Sequence, residues 1–166
     1  DQLVAGGQAE AAGGQIRLTA NGKLAASALF AADRDAFGED EADRTLEEFH
    51  RLDLRMKDIV TRWQVRDLAG EQVLNDHADA AYDGKLLADL ADLHAETAEW
   101  LSPAAGAFGR FGAYRAGLGR ALELARGGDQ RFVASPRVDS YHGVWFELHE
   151  DLIRLAGKKR SEATSG

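Results

Sequence analysis

The sequence predicts a mainly α fold: an antiparallel bundle of about four long helices, preceded by a short β-hairpin and one further helix. Three observations predict it. Ala42, Leu46, Phe49, Asp53, Met56, Val60 and Trp63 recur at alternating steps of four and three, which places them on one face of a helix. Three later segments repeat that period, with breaks rich in Gly, Pro, Asn and Asp between them. Strand-like stretches are confined to the first residues of the chain.

Taken in order, LVA at 3–5 and QIRLT at 15–19 read as two strands flanking a Gly/Ala-rich turn, GGQAEAAGG. Thr19 or Asn21 then caps a helix to Phe37, with Leu24, Ala28, Leu29 and Ala32 as its apolar side and Gly38 as its stop. The helix over 39–66 carries the seven-residue stripe. Its first turns are acidic (Glu39, Asp40, Glu41, Asp43) and its last turns basic (Arg62, Arg66), which suits the helix dipole. At about 1.5 Å per residue it is roughly 40 Å long and needs partner helices to cover its stripe. Residues 67–76 read as a loop, with Asn75 and Asp76 as capping candidates. A helix over 78–101 follows, striped by Leu86, Leu90, Leu93, Thr97 and Trp100, with Leu87, His94 and Leu101 beside them. Ser102-Pro103 breaks it. The segment 104–126 carries Phe108, Phe111, Tyr114, Leu118 and Leu122. Its five glycines (106, 109, 112, 117, 119) weaken it as an isolated helix and suit close packing or movement. A loop at 127–139 leads to the last helix, 140–156, where Tyr141, Trp145, Leu148, Leu152 and Leu155 form one line and His142, Phe146, His149 and Ile153 a second. The expected organisation is a wing-like hairpin plus helix over 1–38, a bundle over 39–157 and a disordered tail over 158–166.

Composition bounds the function. The 166-residue chain is 45% hydrophobic, has no run of apolar residues long enough to span a membrane, and carries a net charge of −8, which argues against nonspecific nucleic-acid binding. It has no cysteine, which removes disulfides, thiolate metal sites and cysteine nucleophiles, and the expected compartment is the cytoplasm. The charge is uneven: residues 67–100 hold nine acids and one base, residues 101–138 six arginines and two acids. Two helices complementing each other across a bundle explain that asymmetry more economically than an anion-binding surface.

The run LVAGGQAEAAGGQIRLTANGKLAASAL resembles the wing of a winged-helix transcription regulator of the MarR or PadR kind, in which strand, turn and strand lead into Leu-Thr-x-x-Gly and a helix. Here that signature is Leu18-Thr19-Ala20-Asn21-Gly22. The resemblance covers residues 3–29. Only two residues precede the first strand, so the family's DNA-binding helices have no counterpart, and specific DNA binding by this chain alone is not expected. The stretches TRWQVRD, NDHADAAYD and SYHGVWFELHEDL are similar in texture to the C-terminal region of actinobacterial pyruvate, phosphate dikinase-like proteins. No catalytic residue transfers with that similarity.

Chemistry-bearing residues cluster on apolar faces. Asp53 interrupts the stripe of the long helix; His94, His142 and His149 lie at or beside apolar lines; Trp63 and Trp145 supply aromatic walls. These six residues form the expected ligand-binding site. A bland reading stands beside each. The histidines sit at a core boundary with satisfied nitrogens, Trp63 is core, and Asp53 pairs with Arg110 or Arg115 to fix helix register. The Asn75–Asp79 run reads as capping, or as a polar lip with Trp63 beside it. A di-iron bundle needs two Glu-x-x-His motifs, and only Glu47-Glu48-Phe49-His50 is present; His-x-x-x-His and Gly-x-Ser-x-Gly are absent. No metal ligand, cofactor or catalytic residue is therefore assigned. The favoured expectation is a non-catalytic regulatory, oligomerisation or small-ligand-binding module of a bacterial regulator-like protein, a dimer whose partner is a second copy or another protein domain. The alternatives are a C-terminal accessory module of a larger phosphotransfer enzyme, or a metal- or ligand-dependent helical-bundle enzyme.

Overall fold

The computed structural model describes residues 2–159; the tail expected over 158–166 lies, from residue 160 on, outside the described residues. The fold is mainly α with two small antiparallel hairpins. The chain divides into two compact units, residues 1–46 with 152–166, and residues 47–151. Among the described residues no helix is long and apolar enough to cross a membrane.

The first unit opens with one helical turn, α1 (Gln2–Ala5), then β1 (Ala9–Ala12) and β2 (Gln15–Leu18). The first strand thus lies inside the stretch expected to be the turn, and residues 3–5 are helical. Gly13 and Gly14 decide this: both have positive φ (60° and 76°), so they form a two-residue turn and pair Ala12 with Gln15. Helix α2 (Ala20–Phe37) begins at Thr19, whose Oγ1 accepts from the Gly22 N–H (3.1 Å) and donates to the Gly7 carbonyl (2.7 Å). A Cβ at Gly22 would collide with the Gln8 carbonyl oxygen. The Thr and Gly of Leu-Thr-x-x-Gly therefore tie the hairpin to the helix. Gly22→Ala is expected to detach the hairpin, seen as faster amide exchange over 8–18 with α2 retained; unchanged exchange would dismiss that role for Gly22. Gly38, at φ 93°, ends α2 with its N–H on the Arg34 carbonyl.

The expected apolar side of α2 is not buried. Leu24 and Leu29 are 70% and 68% exposed, and Ala28 and Ala32 are exposed with them. The chain instead turns Gly22 inward, with Ala26, Phe30 and Phe37 half-buried. Aromatic rings outweigh leucine and alanine here because they remove more apolar area from water. The first residues of α3 (Glu39–Gln64) and the end of the chain add the buried Ala42, Leu46, Ile153 and Leu155 to this unit.

In the second unit, α3 runs to Gln64, and every residue of its stripe from Phe49 to Trp63 is buried. A hairpin follows where a loop was expected: β3 (Val65–Leu68) and β4 (Glu71–Leu74), turned by Ala69 and Gly70 at φ 57° and 91°. Ala69 is a poor residue for that conformation, which hides the turn from sequence reading. Helix α4 (Ala80–Trp100) is capped by Asp79, not Asn75 or Asp76; its carboxylate accepts from the Ala81 and Tyr82 N–H groups. The single segment expected at 104–126 is two helices, α5 (Ser102–Ala107) and α6 (Gly109–Arg126). Phe108 between them is extended, and Gly106 and Gly109 flank it, where helix propensity is lowest. The loop expected at 127–139 contains a helical turn, α7 (Arg131–Ala134), before α8 (Tyr141–Leu155).

Side-chain pairs give the helix directions. Glu48 meets Trp100 and Arg62 meets Asp89, so α3 and α4 are antiparallel. Asp53 meets Trp145 and Phe49 meets His149, so α3 and α8 are antiparallel. Tyr114 meets Asp151 while Gly117 lies against Val144, which sets α6 antiparallel to α8. At Gly117 a Cβ would stand 3.3 Å from a Val144 methyl, and at Gly119 3.7 Å from His94 Nε2. Those two glycines serve close packing; Gly106, Gly109 and Gly112 face open space.

Candidate functional site

Three of the six expected site residues, Asp53, Trp145 and His149, meet at the α3–α8 seam, and His94 and His142 lie on other sides of α8. Trp145 donates its indole N–H to Asp53 Oδ1 at 2.9 Å, and Lys57, one turn along α3, places its ammonium 2.8 Å from Oδ2. Asp53 is thus not paired with Arg110 or Arg115. Arg110 gives its Nε to Asp151 (2.9 and 3.0 Å), and Arg115 reaches Ser102 Oγ. The long stem of Lys57 reaches inward, so that a side chain mostly at the surface partners a carboxylate inside.

Aromatic rings enclose that pair. Phe49 and Tyr141 both stack with Trp145, at 5.0 and 6.2 Å, and His149, buried, tilts against Phe49 at 4.9 Å. His50 meets His149 edge-on at 6.3 Å. His94 lies at the far side of Tyr141, with its Nδ1 3.3 Å from the phenol oxygen. Burial pushes the Tyr141 hydroxyl well above its ordinary value, so the phenol stays protonated beside the imidazole. Burial likewise pushes the Tyr114 phenol up to about 12, with the Asp151 carboxylate adding to the effect.

Both His94 and His142 titrate below the ordinary imidazole range. Burial is the first cause in each; Arg115 adds to it at His94, and the Asp53 charge opposes it at His142. The unfolded chain therefore binds these protons more readily. Their contribution to stability is full above the unfolded value of 6.5 and is lost as pH falls from there through the lower folded value. The urea midpoint is expected to drop between about pH 7.5 and pH 5.5, above the carboxylate range, and His94→Gln should flatten that drop. An identical slope in the variant would rule His94 out as a source.

His142 is the expected residue that reaches a solvent-open cleft. With Ser140, Val144, Phe146, Glu147 and Arg120 it lines a space of about 650 Å³ between α6, α8 and the preceding loop. The lining mixes apolar, acidic and basic groups without a convergent set. Among the described residues no three His, Asp or Glu side chains come together as a metal would require.

Trp63 stands apart from the other five. It is buried at the opposite end of α3 and packs on His77 at 4.6 Å. Sequence reading placed Trp63 beside the 75–79 run but did not find the network there. Buried Asp83 accepts from Asn75 Nδ2 and His77 Nδ1, each at 2.9 Å, with Gln130 at 3.4 Å. Asn75 Nδ2 also donates to the Trp63 carbonyl, while its Oδ1 takes the His77 backbone N–H. This closed ring of donors and acceptors holds His77 at φ 60°. The available signal was Asp83 itself, a carboxylate three residues before Leu86 on the buried face of α4.

No family model, curated protein or solved structure matches this chain.

Proposed function

We propose that this chain is a non-catalytic helical module that acts by self-association, as part of a regulator-like protein. The observation that carries this reading is the outward apolar stripe of α2, where Leu24 is 70% exposed in line with exposed Ala28 and Ala32. Leu29, 68% exposed, flanks it. Burying a leucine side chain stabilises by about 1.5–3 kcal/mol, so leaving two in water is a standing incentive for association.

The pattern of α2 suits a second copy. In a two-fold antiparallel pairing centred on Ala28, Leu24 lies opposite the partner's Ala32, and Asn21 opposite the partner's Asp35. Large meets small at the centre, and polar meets polar at the ends. The interior polar groups favour the same reading. Asp53 and Asp83 are both taken up by internal partners, which leaves neither poised for a reacting group. The regulator part of the proposal rests on the order of hairpin, Thr19 cap and helix, which is that of a wing and its following helix.

Native mass spectrometry and sedimentation of the full chain test it. The expected result is a dimer that Leu24→Glu converts to monomer without loss of helicity. A monomer at high micromolar concentration, or a dimer indifferent to Leu24→Glu, would overturn the reading.

A further inference from the structure

The first unit holds a second cleft, on a different side of α2 from the Leu24 stripe. Its volume is about 660 Å³, and it lies between α2 and the end of α8. Lys23, Arg34, Arg154 and Lys158 line it, Leu18 and Phe30 supply apolar wall, and no carboxylate is part of the lining. That is unexpected in a chain of net charge −8. The charge asymmetry visible in the sequence lies elsewhere, in 67–138; these four cations come from two ends of the chain, 23–34 and 154–158.

The cations are held in place by the groups behind them. Arg34 gives Nε to Glu39 (3.2 Å) and Nη1 to the Leu155 carbonyl (3.4 Å), with Asp43 at 3.7 Å. Lys158 places its ammonium 3.3 Å from Asp43. Glu39 and Asp43 thus stand behind the cleft rather than in its lining. Gly157, at φ 65°, lets the chain turn over the Arg34 guanidinium; a Cβ there would stand 3.3 Å from Nη1. Arg154 lies over the Phe30 ring at 5.8 Å, which orients one charge along the apolar wall. The Arg34 side chain is only 20% exposed. Glu39 and Asp43 offset Arg34 and Lys158 from behind, while the lining on the cleft side presents cations and no carboxylate, so an anion that enters meets attraction from the walls.

We propose that this cleft binds a small organic anion, a carboxylate or phosphate on an apolar or aromatic body. The head group sits among Lys23, Arg34, Arg154 and Lys158, and the body lies against Phe30 and Leu18. Arginine's planar fork suits either head group, and a bare inorganic ion gains nothing from the apolar wall.

Calorimetric titration of the full chain with phenyl phosphate, benzoate and inorganic phosphate, at low and raised salt, tests this. Saturable binding of phenyl phosphate or benzoate, weaker at raised salt and tighter than inorganic phosphate by about tenfold or more, is the expected result. Whichever aromatic anion binds more tightly identifies the head group. Lys23→Gln and Arg154→Gln, both at exposed positions, should each weaken binding several-fold with unchanged circular dichroism. Phe30→Leu should weaken the aromatic anions and leave inorganic phosphate unaltered. No saturable binding, binding indifferent to Lys23→Gln and Arg154→Gln, or equal affinity for inorganic and phenyl phosphate would each overturn the proposal. None of these readouts depends on whether the chain is a dimer, so the two proposals fail separately.

Discussion

Trp145→Ala is expected to destabilise the second unit by about 3–5 kcal/mol, the largest effect of any single truncation near the α3–α8 seam. Two losses add. The indole is 2% exposed and stacks with both Phe49 and Tyr141, so its removal leaves a cavity in the packed interior. It also removes the donor to Asp53 Oδ1, leaving a carboxylate that is 5% exposed with Lys57 alone. Trp145→Phe separates the two: it keeps most of the ring and loses the donor, and should cost about 1–3 kcal/mol. Adding Asp53→Leu to Trp145→Phe should recover part of that cost, because it removes the orphaned carboxylate. Urea unfolding at neutral pH measures all three. If Trp145→Phe is neutral, the hydrogen bond contributes nothing and the seam is held by packing alone.

Asp83→Ala is expected to cost about 3 kcal/mol, since it leaves buried donors on Asn75 and His77 without an acceptor. The damage should be local. His77 adopts φ 60°, which a non-glycine residue occupies only when its surroundings hold it there, and Asp83 is the centre of those surroundings. Amide exchange should therefore accelerate first over 75–83, with α6 and the Trp145 region unchanged. His77→Gly should be less destabilising than His77→Ala by about 1 kcal/mol, because glycine accepts the left-handed conformation at no steric cost. Uniform acceleration across the bundle after Asp83→Ala would show that the network supports the whole unit rather than one end of it.

The bundle helices were legible because burial on a helix follows a local rule. A residue's face is set by its spacing from its neighbours, so the stripe from Ala42 to Trp63 could be read one turn at a time, and all seven of its positions are buried. The two hairpins were read less well. Gly13-Gly14 sat inside a longer run of small residues that allowed several turns, and Ala69-Gly70 lacked the residue its conformation favours.

For the site, the sequence placed Asp53, His94, His142, Trp145 and His149 on apolar faces; Asp53, Trp145 and His149 meet at one seam, while His94 packs on Tyr141 and His142 faces a cleft beside α6. What it did not carry was their pairing. Trp145 is 92 residues from Asp53, and which donor reaches that carboxylate depends on the register of α8 against α3, set by many side chains packing at once. The same holds for Asp83, whose partners come from the β4–α4 connection, and for the cationic cleft, built from two ends of the chain. The outward face of α2 is the sharpest instance. Leu24, Ala28, Leu29 and Ala32 were expected to be the packing side, and the folded chain turns Gly22, Ala26, Phe30 and Phe37 inward instead. The sequence by itself determined which faces are apolar, because helical periodicity is local. Tertiary structure decided which faces meet, because contact depends on the relative placement of segments far apart in the chain.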